Sequence, residues 1–229
     1  HNAMPCERAL SNLVGDFNGL DVSIFAAAEW GENPSALEEA KAAIEKSDII
    51  IVNLLFLEDH IKPILPLLKG RRDDCDAMIG VVCDAELVKL TRMGSLDMKA
   101  PESGALALLK KLRGSSKPSS ETGEKKMRML RRLPKILKYI PGKAQDLRAW
   151  FLVMQYWLGG TDENIEAMLR FLISRYSHVD SWQGVSAEPP REYPNVGVYH
   201  PNLKGRISEE LSDLPEVKNP VATIGLLLM

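Results

Sequence analysis

Two uninterrupted apolar runs, each leading through charged residues into a helical pattern, constrain this chain more than any other feature. The first reads SDIIIVNLLFLEDHIKPILPLL from Ser47, and the second reads DAMIGVVCDAELVKLTRMGSLDM from Asp76. A β-branched run without polar alternation fits a strand covered on both faces, the usual state of parallel strands in α/β proteins. Ligands of such sheets collect at the carboxyl ends of the strands. Those ends carry Glu58, Asp59 and His60 after the first run, and Cys83, Asp84 and Glu86 after the second.

The surrounding sequence extends the alternation. Pro5 to Phe17 reads as a helix, LDVSIFAAAEW as a buried strand, and SALEEAKAAIEKS as a helix capped by Asn33 or Ser35, with Pro34 in its first turn. Strand 48–56, helix 61–68, strand 77–82 and helix 85–92 follow. This rhythm predicts an α/β domain over 1–113, with a flavodoxin-like parallel sheet flanked by helices and joined by right-handed crossovers. It opens on a helix where such domains open on a strand, so a first strand is expected upstream. After a short helix at 104–113, residues 114–126 read as a flexible polar loop. A helical extension is expected over 127–178. In it KMRMLRRLPKILKYI is divided at Pro134, KAQDLRAWFLVMQYWL is largely buried, and Thr161 or Asp162 caps ENIEAMLRFLISRYS. Residues 179–229 read as an irregular connector with GVYH as one short strand, ending in VATIGLLLM as the first strand of a next domain.

Charge is distributed unevenly behind a net value of −2. Residues 1–109 carry ten Lys/Arg against eighteen Asp/Glu, residues 110–148 thirteen against three, and residues 149–229 six against ten. The basic stretch makes Lys125, Lys126, Arg128, Arg131, Arg132, Lys135 and Lys138 candidates for docking an acidic partner. Tyr139 alone interleaves it with an aromatic ring, so nucleic acid is not an expected partner. No apolar run reaches the ~20 residues of a membrane span, and no signal pattern opens the chain, so a cytoplasmic location is expected. Cys6, Cys75 and Cys83 lack metal-binding spacing and read as reduced, packed thiols.

Tests for chemistry exclude more than they find. His1, His60, His178 and His200 are too scattered for a helical metal site, and no phosphate-binding glycine motif or G-x-S-x-G elbow is present. No catalytic residue, metal ligand or cofactor is therefore assigned within the chain. The strand-end positions Glu29, Trp30, Glu58, Asp59, His60, Asp84 and Arg92 stand as candidate ligand-binding residues. Trp150, Phe151, Tyr156 and Trp157 read as core.

Several stretches go further. IIVNLLFLEDHIKPILPLL, AELVKLTRMGSLDM, SGALALLKKLRG, LPKILKYIPGKAQDLRAWFLVMQYWLGGTDENIEAML and YPNVGVYHPNL, in this order, resemble the amino-terminal part of the large H subunits of magnesium chelatases. KLTRMG with LDM, and QYWLGG followed by EN, are the most specific wording, and the likeness covers nearly the whole chain. The resemblance implies an enzyme that inserts Mg²⁺ into protoporphyrin IX for chlorophyll or bacteriochlorophyll, with ATP hydrolysed by two smaller ATPase-type subunits. It implies that this segment is an accessory binding or docking domain attached to the rest of the large porphyrin-binding chain, inactive by itself, with the metal-insertion residues in later domains. The large subunits of cobaltochelatases are similar in those later domains and form one alternative. A stand-alone flavodoxin-like ligand-binding module is another.

Overall fold

The computed structural model describes residues 3–13, 15–100, 132–142, 144–192, 197–203 and 207–216. Two compact units divide the chain, residues 1–191 and 192–229.

The first unit is a mixed α/β arrangement around a small sheet. Helices α1 (Ala3–Leu13) and α2 (Pro34–Lys46) precede strand β1 (Ile49–Asn53). Helices α3 (Glu58–Ile61) and α4 (Leu65–Arg71) lead to β2 (Ala77–Val81). Helix α5 (Ala85–Lys89) and the short strands β3 (Arg92–Met93) and β4 (Leu96–Asp97) complete the sheet. Helices α6 (Ala144–Gly159) and α7 (Asp162–Tyr176) follow. The strand order is β1-β2-β3-β4. Strands β1 and β2 are parallel, from Ile49 opposite Ala77 to Asn53 opposite Val81.

The two apolar runs form these central strands because each places side chains into a core on both faces. On one face Ile50, Val52 and Met78 pack with Ile61, Leu68 and Leu87, flanked by Leu37 and Ile44 of α2. On the other, Ala77, Ile79 and Val81 pack with Ala9 of α1 and with Trp150, Phe151 and Val153 of α6. Helices α1 and α2 therefore lie on opposite faces. Trp150 is fully buried and its indole N–H donates to the Gly80 carbonyl at 3.1 Å, fixing α6 on β2. Gly80 itself permits the close approach of α5, since a Cβ there would stand 2.7 Å from the Leu87 carbonyl oxygen.

Four sequence expectations require correction. The sheet is mixed, because β3 runs antiparallel to β2 and β4 antiparallel to β3. The helix expected over 85–92 ends at Lys89. Thr91 turns inward there, its hydroxyl accepting from the Gly80 N–H at 2.9 Å, and the chain enters a hairpin at Gly94, whose φ is +54°. The helix expected over 61–68 is two pieces, split at Lys62 and Pro63 because proline cannot continue the hydrogen-bond ladder. LDVSIFAAAEW, expected as a buried strand, pairs with no strand among the described residues. Ile24 and Phe25 are exposed, and Ala27–Glu29 forms a 3₁₀ turn.

The helical pair after residue 143 matches its pattern. Thr161 caps α7, its hydroxyl oxygen accepting from the Asn164 N–H at 3.3 Å. Trp150, Phe151 and Tyr156 are buried, as core positions should be. The second unit contains a two-stranded antiparallel pair, β5 (Val198–Tyr199) with β6 (Ile207–Ser208). GVYH thus supplies the short strand expected from sequence, while its partner strand carries no comparable signal. The expected helix at 104–113, the polar loop at 114–126 and the closing strand VATIGLLLM lie outside the described residues.

Candidate functional site

The carboxyl ends of β1 and β2 lie side by side and keep hydrogen-bonding past the strands. The Leu54 N–H donates to the Val82 carbonyl at 3.0 Å, and the Asp84 N–H to the Leu55 carbonyl at 2.8 Å. At this crossing Leu54 and Val82 adopt φ of +53° and +47°. Such left-handed backbone costs about 1–3 kcal/mol per residue, and a β-branched valine is among the least suited to it. Strain of this kind clusters at binding and active sites, where surrounding packing holds it in place.

Polar groups without partners mark the same end. Both amide atoms of Asn53, the last residue of β1, are buried with no hydrogen-bond partner, and so is the indole N–H of Trp30. Each such group costs about 1–3 kcal/mol if left unpaired. The Trp30 ring meets His60 edge-on, with centroids 6.2 Å apart. Leu54, Phe56 and Leu57 are exposed around them. Glu29, Glu58 and Asp59 are exposed carboxylates, with Glu58 2.9 Å from Lys62. The Asp84 carboxylate is already engaged as the α5 cap, accepting from the Glu86 N–H at 2.8 Å. Burial, followed by the Asp84 charge, pushes the Cys83 thiol up to about 12, in keeping with a packed thiol. Of the seven strand-end candidates, the structure brings Trp30 and His60 into contact, while Asn53, Leu54 and Val82 hold no place among them. Asn53 had left a signal as the one polar residue inside the apolar run IIIVNLLF.

Arg92 lies elsewhere. It pairs with Met78 toward the amino end of β2, away from the strand carboxyl ends. Its guanidinium donates to the carbonyls of Arg72 at 2.9 Å, of Asp73 and of Cys75. Buried Arg72 in turn donates to the Leu90 carbonyl at 3.1 Å and to the carboxylates of Asp73 and Asp97. The hairpin tip is held by Asp146 of α6, which accepts from the Ser95 N–H and hydroxyl at 2.8 and 2.7 Å and from Tyr176 and Arg175 of α7 at 2.9 and 3.1 Å. Burial pushes this carboxyl up, but the Ser95, Tyr176 and Arg175 hydrogen bonds outweigh it and hold it below the usual carboxylate range. KLTRMG and LDM are therefore the joint between the sheet and the helices. QYWLGG with EN is a second tie. The Tyr156 hydroxyl donates to the Glu188 carbonyl, and the Asn164 amide exchanges two hydrogen bonds with the Arg191 backbone, at 3.1 and 2.9 Å.

Of the basic candidates, Arg132, Lys135 and Lys138 fall within the described residues, while Lys125, Lys126, Arg128 and Arg131 lie outside them. Lys135 is exposed, and Leu133 and Leu137 turn into the core, which leaves Ile136, Tyr139 and Ile140 on the solvent side at 60%, 82% and 47% exposure. Gln145 donates to the Leu137 carbonyl at 3.0 Å and Arg148 to the Pro134 carbonyl at 3.0 Å, so this basic and apolar face is anchored on α6. No group of three or more potential metal ligands occurs among the described residues. No helix among them is long and apolar enough to cross a membrane.

A family described as "Domain of unknown function (DUF3479)" matches residues 1–151, and one described as "CobN/Magnesium Chelatase" matches residues 154–229. The magnesium-chelatase H subunit of Rhodobacter capsulatus is 54% identical over 229 residues, all of this chain and 19% of the relative. That of Cereibacter sphaeroides has the same identity and coverage. The chloroplastic ChlH subunit of magnesium chelatase from Oryza sativa subsp. japonica is 27% identical over 164 residues, 70% of this chain and 12% of the relative. The chain thus spans about a fifth of the bacterial relatives, at their amino-terminal end.

Proposed function

The chain belongs to the family matched as DUF3479 and, along its whole length, to the amino-terminal part of the magnesium-chelatase H subunits, and from this premise we propose that it is an accessory docking domain of that enzyme. The whole subunit is read as binding protoporphyrin IX and receiving Mg²⁺, with ATP hydrolysed by two ATPase-type partner subunits, in chlorophyll or bacteriochlorophyll synthesis. Both metal and nucleotide are handled outside this segment. The sheet is read as part of a flavodoxin-like layer, and the location as cytoplasmic. Relatives named for magnesium rather than cobalt do not favour a cobaltochelatase, and the 54% match within a much longer protein does not favour a stand-alone module.

One observation carries the docking role: the residues that make the wording distinctive build ties, not a reaction centre. Arg72, Arg92 and Asp97 bind the hairpin, Asp146 binds its tip to the helices, and Asn164 binds the 188–191 segment. Insertion of a metal into a porphyrin requires a base for two pyrrole protons and ligands for a dehydrated cation. The reading is supported by the lack of any group of three or more potential metal ligands among the described residues.

Between the two roles open to such a domain, charge favours docking over porphyrin binding. Protoporphyrin IX carries two propionates, and the strand-end candidates include the carboxylates of Glu29, Glu58, Asp59 and Asp84. The face of Arg132, Lys135 and Lys138 with Ile136, Tyr139 and Ile140 offers cations beside apolar side chains, as an acidic partner with an apolar centre requires. Titrating the chain with protoporphyrin and, separately, with the ATPase-type subunits tests this. Binding to one of those subunits without quenching of porphyrin fluorescence is expected. Saturable quenching that is lost on altering Trp30 and His60 would reverse the assignment. The chain with both subunits, ATP and Mg²⁺ is expected to yield no metalated porphyrin, and turnover would place the insertion site here.

A further inference from the structure

We propose that the groove between α2 and the corner joining α3 to α4 docks a basic amphipathic helix of a protein partner. The groove follows from how α2 is written. On its inner side Leu37 and Ile44 pack against the core of Ile50, Val52 and Met78, with Ala40 buried between them. On its outer side Glu38, Lys41, Ala42 and Glu45 stand at i, i+3, i+4 and i+7, the spacing of a single helix face. Pro63 and Leu67 complete the lining of an open groove of about 400 Å³. Binding clefts run from about 300 to 1,000 Å³. Ala42 is the reason the groove exists. It is exposed, and its single methyl between longer side chains leaves a floor that continues onto the apolar Pro63 and Leu67.

Charge selects the occupant. Residues 29–62 carry eight Asp/Glu against three Lys. Two of those lysines are already engaged, Lys41 with Glu38 at 2.7 Å and Lys62 with Glu58 at 2.9 Å. Glu38, Glu45, Glu58 and Asp59 are all exposed along the groove's two sides. No group of three or more potential metal ligands occurs among the described residues, so these carboxylates are spread out, as the lysines and arginines of a protein partner require. A helix with an apolar stripe between basic flanks would lay the stripe on Ala42, Pro63 and Leu67 and its cations against Glu38 and Glu45. Phe56 and Leu57, 57% and 61% exposed, stand one short helix before Pro63 and offer further apolar surface to a longer partner. The groove lies on the α2 face of the sheet, whereas the basic face over 132–140 packs through Leu133 and Leu137 on the α6 face. The two surfaces are opposite in charge and in position, so the inference is independent of the docking role proposed above.

The test titrates the chain into a fluorescently labelled amphipathic peptide of leucine and lysine, about fifteen residues or four helical turns long, and follows anisotropy. The same peptide with glutamate in place of lysine serves as its counterpart. Saturable binding of the lysine peptide alone is expected. Ala42→Trp fills the groove without changing charge, and Glu38→Lys with Glu45→Lys reverses its walls. Each is expected to weaken binding by roughly tenfold or more. Glu209→Lys with Glu210→Lys makes the same charge change at exposed residues of the second unit and is expected to shift binding by less than about twofold. Absence of saturable binding, equal weakening by the two double reversals, or binding indifferent to Ala42→Trp would overturn the proposal. Concentration-dependent sedimentation of the chain without peptide, abolished by Ala42→Trp, would overturn it in favour of a second copy as the occupant.

Discussion

Asp146→Ala is the perturbation that most sharply tests how the sheet and the helical pair are joined. The carboxylate is 13% exposed and accepts four hydrogen bonds, two from Ser95, one from Tyr176 and one from Arg175. Removing it leaves the half-buried Tyr176 hydroxyl without its acceptor, while the exposed Ser95 and Arg175 groups turn to water. A hydrogen bond to a charged group contributes about 1.5–3 kcal/mol, and since three of the four lie at exposed groups that water can replace, the expected loss is about 1.5–3 kcal/mol in all. For a domain of this size that is a fall of about 3–12 °C in melting temperature. The pH dependence has a fixed sign. The folded pKa of Asp146 is lowered, so its contribution is complete above the ordinary aspartate value of about 3.9 and is lost as pH falls through the folded value. The gap between wild type and variant, followed by circular dichroism melts, should therefore be constant near neutrality and narrow in acid. A variant melting within about a degree of wild type, or a gap that widens in acid, would refute the joint.

Gly80→Ala should destabilise by about 1–3 kcal/mol in denaturant titrations, since the new Cβ meets backbone of α5 and no flexible side chain can yield. Trp150→Ala should cost about 3–5 kcal/mol, while Trp150→Phe, which keeps a ring and loses the bond to Gly80, should cost less. Asn164→Ala should leave α7 formed but release residues 188–191, read as faster limited proteolysis there. The pKa of His178 is raised by its hydrogen bond to Asp76 and then by that carboxylate's charge. Its contribution is full below the ordinary histidine value of about 6.5 and is lost as pH rises through the folded value, so His178→Ala should matter in mild acid and not at high pH.

The central strands were legible because burial on both faces writes an unbroken apolar run, and IIIV and AMIGV are such runs. The same rule misleads at VSIFAA, whose composition is that of a strand but which pairs with no strand among the described residues. The β3–β4 hairpin was hidden for the opposite reason. Its strands are two residues long, too short for any period, and its stability comes from Asp146, far along the chain. Arg92 is a binding candidate by sequence only through its place beside an expected strand end. Only the fold shows its guanidinium occupied by backbone carbonyls. Topology points to the strand ends as the place to look, whereas the unpaired amide at Asn53 and the strained Leu54 and Val82 are properties of packing that no spacing encodes.

The docking role is tested most directly by the affinity of this chain for the ATPase-type chelatase subunits as salt is raised, for wild type and for Lys135→Glu with Lys138→Glu. Exposed charge contacts weaken with ionic strength. Binding at low salt that falls steadily with salt, and roughly tenfold weaker binding by the double variant, is the predicted result. Binding that ignores both salt and the charge reversals, or no binding by a chain that melts normally, would contradict it.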